Sequence, residues 1–218
     1  VTINGAVGQM AGADDDMLWG GGDVLVLNAT NTYTTPTVLR ETLTLEVNGS
    51  IAASASLTVA TNTRVRGVGS LPGVTVQDGG TIAPGPLGST GIGTLSVTND
   101  VVMESGAKLT LQLGADAGTS SVLAISGGKL DLSAGGAELW LASDGGLDGE
   151  YVIATFDEQT EAYGTFSTVL LNDSEQDWQD SGYSVDYGTG SISLIPEPAT
   201  VTLLLAGGLL ALRRRRRR

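Results

Sequence analysis

Leu45-Glu46-Val47-Asn48-Gly49-Ser50, matched further along by Leu95-Ser96-Val97-Thr98-Asn99-Asp100, is the stretch whose reading decides the fold. Each copy alternates apolar and polar residues and then runs into Asn, Gly or Asp. Alternation at period two puts the apolar side chains on one face of a strand. Asn and Gly then accept the positive φ of a tight turn. A small-residue stretch and a second strand follow each copy, Leu57-Thr58-Val59 in one case and Lys108-Leu109-Thr110 in the other.

Runs of the same kind fill the chain up to residue 145. They are Val24–Leu27, Thr42–Val47, Ser56–Val59, Val74–Val76, Leu95–Val97, Val101–Glu104, Leu109–Leu113, Val122–Ile125, Lys129–Leu132 and Glu138–Leu141. Each is short and rich in Val, Leu and Thr, as strands are. Asp78-Gly79-Gly80, Ser105-Gly106, Gly127-Gly128 and Gly135-Gly136 punctuate them. Strands recurring at about 10–20 residues favour a solenoid of stacked coils. A β-sandwich competes, because it also spaces short strands regularly. The aromatic content of 5% favours the solenoid, whose narrow core is filled by aliphatic layers. The expected fold class is therefore all-β, a right-handed parallel β-helix over residues 1–145.

Residues 146–194 read differently. Tyr151–Phe156 and Gly164–Leu171 are strong strands, and Gly182–Tyr187 with Ser191–Leu194 forms a hairpin across Gly188-Thr189-Gly190. Both Phe residues and four of the five Tyr residues fall here. Large side chains suit a C-terminal β cap, which covers the open end of a solenoid.

The net charge of −13 conceals a split. Six of the 11 basic residues are Arg213, Arg214, Arg215, Arg216, Arg217 and Arg218, so residues 1–212 carry 5 positive charges against 24 negative ones. So acidic a body repels nucleic acid, and no nucleic-acid partner is expected. With no cysteine, no disulfide staples the fold; with no histidine, the usual general base and transition-metal ligand are missing. A Ser–His–Asp triad is thereby excluded. No cofactor is expected, and the chain reads as no enzyme. Paired carboxylates on a solenoid leave a carbohydrate-binding or polysaccharide-degrading protein as the alternative.

Residues 195–218 form a third region. Pro196, Glu197 and Pro198 interrupt strand pairing and hold an extended, accessible segment. From Ala199 to Leu212 there is no charge, and Val201, Leu203, Leu204, Leu205, Leu209 and Leu210 lie between. As a short hydrophobic helix these residues span about 21 Å, against a bilayer core of about 30 Å. The run is therefore short for a permanent anchor and suits a transient one. The arginines act as a stop on the cytoplasmic side.

In order and content, Pro196-Glu197-Pro198, the apolar run with Gly207-Gly208, and Arg213–Arg218 resemble the PEP-CTERM sorting signal of Gram-negative bacteria. The resemblance implies recognition and processing by an exosortase, an integral-membrane protease, with transient residence in the inner membrane. It implies delivery to the cell surface or to an extracellular matrix rich in exopolysaccharide. An export leader, a basic region followed by an apolar one, is not found at Val1 and is expected outside this sequence. The body, in Asn31-Thr32-Tyr33-Thr34, Thr37-Val38, Leu43, Leu45 and Val47-Asn48-Gly49-Ser50, resembles the autotransporter-associated β-strand repeat. That resemblance implies a passenger-like β-helix. It departs from the repeat at Thr35-Pro36 and at Arg40-Glu41-Thr42-Leu43.

Other features read as structure rather than site. Asp14, Asp15 and Asp16, with Asp23, offer carboxylate oxygens to Ca²⁺ but lack EF-hand and nonapeptide spacing, so a solvated acidic turn is expected. Asp173, Glu175, Asp177 and Asp180 read as a solvated loop. Of the tryptophans, Trp140 is expected in the core or cap and Trp178 exposed, where a sugar could stack. Asn28-Ala29-Thr30, Asn48-Gly49-Ser50 and Asn172-Asp173-Ser174 match the glycosylation triplet, which is common by chance.

Overall fold

In the computed structural model, the residues described are 1–8, 16–87, 91–116, 118–143, 145, 147–157 and 162–197. They form twenty strands and one short helix. In chain order the strands are β1 (Thr2–Ile3), β2 (Met17–Trp19), β3 (Val24–Leu27), β4 (Thr37–Leu39), β5 (Thr44–Val47), β6 (Leu57–Val59) and β7 (Arg64–Gly67). Then come β8 (Ser70–Leu71), β9 (Val74–Val76), β10 (Thr81–Pro84), β11 (Thr94–Val97), β12 (Val101–Met103), β13 (Lys108–Leu113) and β14 (Val122–Ile125). The chain finishes with β15 (Leu130–Asp131), β16 (Glu138–Ser143), β17 (Tyr151–Thr155), β18 (Thr168–Leu171), α1 (Glu175–Asp180), β19 (Tyr183–Gly188) and β20 (Ser191–Pro196).

Three sheets take these strands in turn. One runs β1-β3-β5-β7-β10-β13-β16-β18, the second β2-β4-β6-β9-β12-β15, and the third β8-β11-β14-β17-β20-β19. Every pairing is parallel except those of β20 with β17 and β19. Successive strands thus step between sheets rather than along one, which is a β-helix and not a sandwich. Bridges Thr30–Ser50 and Ser50–Ser70 carry the third sheet back toward the first coils.

Register shows the stacking directly. Val24, Thr44, Arg64, Thr81, Lys108, Glu138 and Thr168 are successive partners in the first sheet. The differences between those numbers give coils of 20, 20, 17, 27, 30 and 30 residues. Parallel rungs continue beyond residue 145 through β17 and β18.

Inward positions of each rung line the core in columns. Leu25, Leu45, Val65, Ile82, Leu109 and Leu139 form one, and Leu39, Val59, Val76 and Met103 another. Aliphatic side chains on a rung spacing of about 4.8 Å leave no room for water. The buried polar residues are tied off. Asn31 accepts from the Val7 amide at 2.7 Å and donates to the carbonyls of Ala29 and Ser50, both at 3.0 Å. Thr37 donates to the Tyr33 hydroxyl at 3.2 Å and shares a hydrogen bond of 3.0 Å with Ser54.

The corner leading from the second sheet into the first is nearly constant. Leu39 to Thr44, Val59 to Arg64, Val76 to Thr81 and Met103 to Lys108 all span five steps. Each corner holds one residue at positive φ: Glu41, Asn62, Gly79 and Gly106. The last three are stacked by backbone bonds, Asn62 N to Gly79 O at 3.2 Å and Gly79 N to Gly106 O at 3.1 Å. Coil length varies elsewhere, chiefly in the connections between first and third sheets. One such connection, at Pro86-Leu87, folds over the outer face of the first sheet. There Glu46 accepts from the Leu87 amide at 3.0 Å and from Asn48 at 2.9 Å, while Arg66 lies 3.8 Å away and donates to the Pro86 carbonyl.

At the C-terminal end α1 lies against β18, and the β19–β20 hairpin extends the third sheet beyond β17. Ser174 caps α1 by accepting from the Asp177 amide at 3.0 Å. The acidic stretch expected as a loop is thus partly a helix, and its Trp178 packs half-buried against the core rather than standing free.

Candidate functional site

The sorting motif begins inside the C-terminal hairpin. β20 pairs antiparallel with β19, Tyr183 opposite Pro196 and Ser184 opposite Ile195. On its other side it pairs with β17, Tyr151 opposite Leu194. Ile192 and Leu194 point into the core and are fully buried. Pro196 still pairs with Tyr183 but is the last residue of β20, so the strand ends on it as expected. The amide of Glu197 donates to the Gly182 carbonyl at 2.7 Å. Hydrogen-bonded and non-hydrogen-bonded pairs alternate in an antiparallel ladder. With Gly182 and Glu197 bonded, Tyr183 and Pro196 form the non-bonded pair, where a proline costs no bond to β19. The side chains of Pro196 and Glu197 are exposed.

Around this point the hairpin is anchored by aromatics. Tyr183 lies 6.4 Å from Tyr151, ring to ring, and Tyr187 lies 6.4 Å from Phe166. The Phe166 amide donates to the Tyr187 hydroxyl at 2.9 Å, and the Asp148 amide donates to the Tyr151 hydroxyl at 2.8 Å. Burial pushes the Tyr187 phenol above its ordinary value, and the bond from Phe166 works against that shift.

Pro198, the apolar residues Ala199 to Leu212 and Arg213 to Arg218 lie outside the described residues, as does the helix expected there. Among the described residues no helix is long and apolar enough to cross a membrane. Asp14 also lies outside them; Asp16 and Asp23 are exposed, just before β2 and β3. Among the described residues no three carboxylates gather as a metal site.

A second cluster escaped sequence reasoning. Trp140, expected in core or cap, sits on the outer face of β16, because Leu139 and Leu141 take the inward positions. Its indole N–H donates to Glu138 at 2.7 Å, and the Lys108 ammonium stands 4.4 Å from its ring centre. Lys108 also lies 3.9 Å from Glu138. The strict alternation of Glu138-Leu139-Trp140-Leu141 was the signal for this placement. The Asn of each glycosylation triplet has a structural use: Asn48 donates to Asn28 at 3.1 Å and Asn28 to Asn4 at 2.7 Å, as a ladder along one corner, and Asn172 accepts from the Ser143 amide at 2.9 Å.

Comparison with known families gives one finding. A family profile described as a PEP-CTERM protein-sorting motif matches residues 194–218. The match begins at Leu194, within β20, and covers the Pro-Glu-Pro element, the apolar run and the arginines. No curated protein matches the chain.

Proposed function

We infer from the PEP-CTERM motif at residues 194–218 that the chain is exported and sorted in association with a membrane through an exosortase. From that premise we propose that the chain is a structural or adhesive protein of a bacterial surface or extracellular matrix. The body is a β-solenoid, right-handed as parallel crossovers almost always are. The carrying observation is that the motif begins in the last strand of the C-terminal hairpin of a folded solenoid. The apolar segment holds the chain transiently in the inner membrane, and processing then releases the body toward the exopolysaccharide outside. Release after Ile195 removes six positive charges and Glu197, leaving 5 against 23, or −18. The absence of His and Cys supports a non-enzymatic role. The likeness of the body to autotransporter-associated repeats supports the passenger-like reading of its coils.

Mass spectrometry of the mature C-terminus tests this. A chain shortened at or near Pro196 is expected, and an intact Arg218 on surface-delivered protein would overturn the reading. Replacing Arg213–Arg218 by Ser is expected to abolish surface delivery in cell fractionation.

The Trp140 cluster favours a second reading, a carbohydrate-binding solenoid. An outward indole beside an ammonium and a carboxylate supplies a stacking plane and polar partners for a sugar. Trp140→Ala is expected to lower retention on acidic or neutral polysaccharide while the melting curve stays near that of the unaltered chain. Unchanged retention removes this reading.

A further inference from the structure

Of Pro196-Glu197-Pro198, the first residue ends a sheet strand and the amide of the second is hydrogen-bonded across to Gly182. β20 has a neighbour on both sides, so neither of its backbone edges is open along Ser191–Leu194. At its far end the Gly182–Glu197 bond and the Tyr183–Pro196 pair continue the contact with β19 up to the motif. Past Glu197 a single residue, Pro198, precedes the apolar run at Ala199. Two Cα steps reach about 7 Å. A membrane-embedded protease therefore has almost no spare chain with which to take hold of Pro-Glu-Pro beside a fully zipped hairpin. An enzyme that grips a peptide from both sides needs backbone edges that β19 now occupies.

Each end of the hairpin carries an aromatic contact, Tyr187 with Phe166 and Tyr183 with Tyr151. At the turn end Tyr187 is fixed by its hydroxyl bond from Phe166 and by the ring contact with it. At the motif end β19 starts at Tyr183, directly after Gly182, which has φ +71° and open space around its Cβ position. β19 is also the edge strand of its sheet, so nothing in the sheet lies beyond it to oppose a peeling motion. Opening from Gly182 breaks the contacts nearest the motif and leaves the Tyr187 end in place.

We propose that β19 is a latch on the sorting motif, and that an exosortase takes up Pro196 and Glu197 only after the Gly182–Tyr183 end of β19 has peeled away. The latch rests on the sorting reading above. It makes the fold of the body a determinant of processing, separate from the motif itself. Tyr183 and Gly182 are positioning residues in this scheme, and neither belongs to the motif.

The full chain, co-expressed with an exosortase and followed by pulse–chase, gives the test. A Gly-Ser-Gly-Ser spacer inserted between Ile195 and Pro196 frees the motif and leaves the hairpin paired through Ile195. Conversion is expected to be about fivefold faster, the effect of releasing roughly one backbone hydrogen bond. In the uncleaved chain the Glu197 amide is expected to be protected from hydrogen exchange, and the spacer is expected to remove that protection. A spacer chain that converts no faster than the unaltered one, or a Glu197 amide that exchanges as free coil, overturns the latch and leaves the sorting reading standing. Deleting residues 196–218 supplies the zero of the assay. If the unaltered chain converts no more than this deletion, the sorting reading fails and takes the latch with it.

Discussion

A few single residues carry more of this fold than their size suggests. Gly49 sits where the backbone of one coil presses on the next; a Cβ there would lie 2.2 Å from the Ala29 carbonyl oxygen. Gly67 and Gly69 meet the carbonyls of Val47 and Gly49 just as closely, each at 2.1 Å. Because the obstacle is backbone, no rotamer relieves it. Gly49→Ala is expected to lower stability by more than about 3 kcal/mol in a urea melt, at the severe end of single substitutions. Tyr33 acts through its environment instead. It is buried in the connection from β3 to β4, and burial pushes its phenol above the ordinary value near 10, partly opposed by the bond from Thr37. The native state therefore favours the neutral phenol. Stability from this group is complete below about pH 10 and is lost as pH rises through the native value. Thermal melts in that alkaline range should show Tyr33→Phe losing less stability with pH than the unaltered chain, though starting lower for want of the Thr37 bond. At the same scale, Trp140 shows what period-two reading can do: the alternation on the page already placed it outside, and only its aromatic character argued for the core.

Elements were legible where an apolar run met a turn residue. Val24–Leu27, Val74–Val76 and Val122–Ile125 coincide with their predicted bounds. Three kinds of element were not. Arg64–Gly67 hides its inward Val65 between outward arginines, so it reads as a charged loop. Thr81–Pro84 is buried on all four residues and ends in proline, so it shows neither alternation nor a strand-like terminus. The helix α1 is six residues long and polar apart from Trp178, and is recognisable only through its Ser174 cap. The sorting site divides the same way. Its motif is local and legible, whereas its docking on Gly182 depends on a pairing across the hairpin that composition does not encode. The corner between second and first sheets offers a test at this scale. Glu41 occupies a left-handed position (φ 64°) that Gly fills in two of the later corners. Glu41→Gly is expected to raise stability by about 1 kcal/mol, read as a higher midpoint in urea, because a side chain is costly there.

The whole molecule is a strongly acidic column whose few cations are placed with care. Three of the five body cations face carboxylates: Arg66 on Glu46, Lys108 on Glu138 and Lys129 on Asp131. The remaining negative charges repel one another through solvent. Raising NaCl from about 10 mM to about 150 mM is expected to raise the melting temperature of the body, since screening weakens that repulsion over a Debye length of about 8 Å at the higher salt. A fall would mean that the three ion pairs outweigh it. The fold tolerates coils of unequal length because each contacts mainly its neighbours, so stability accrues coil by coil.

The nearly constant five-step corner makes the column a measuring rod. Residues 24–43 make up one full period, since Val24 and Thr44 are register partners. A tandem copy of that segment should drop into the stack and lengthen it by one rung, about 4.8 Å, with every later strand keeping its facing residue. Small-angle scattering would read the added length. The distance between the C-terminal exit and the far tip of the body is thus written in whole coils. A lineage could tune how far this protein stands off a surface by counting repeats, with no new packing to invent.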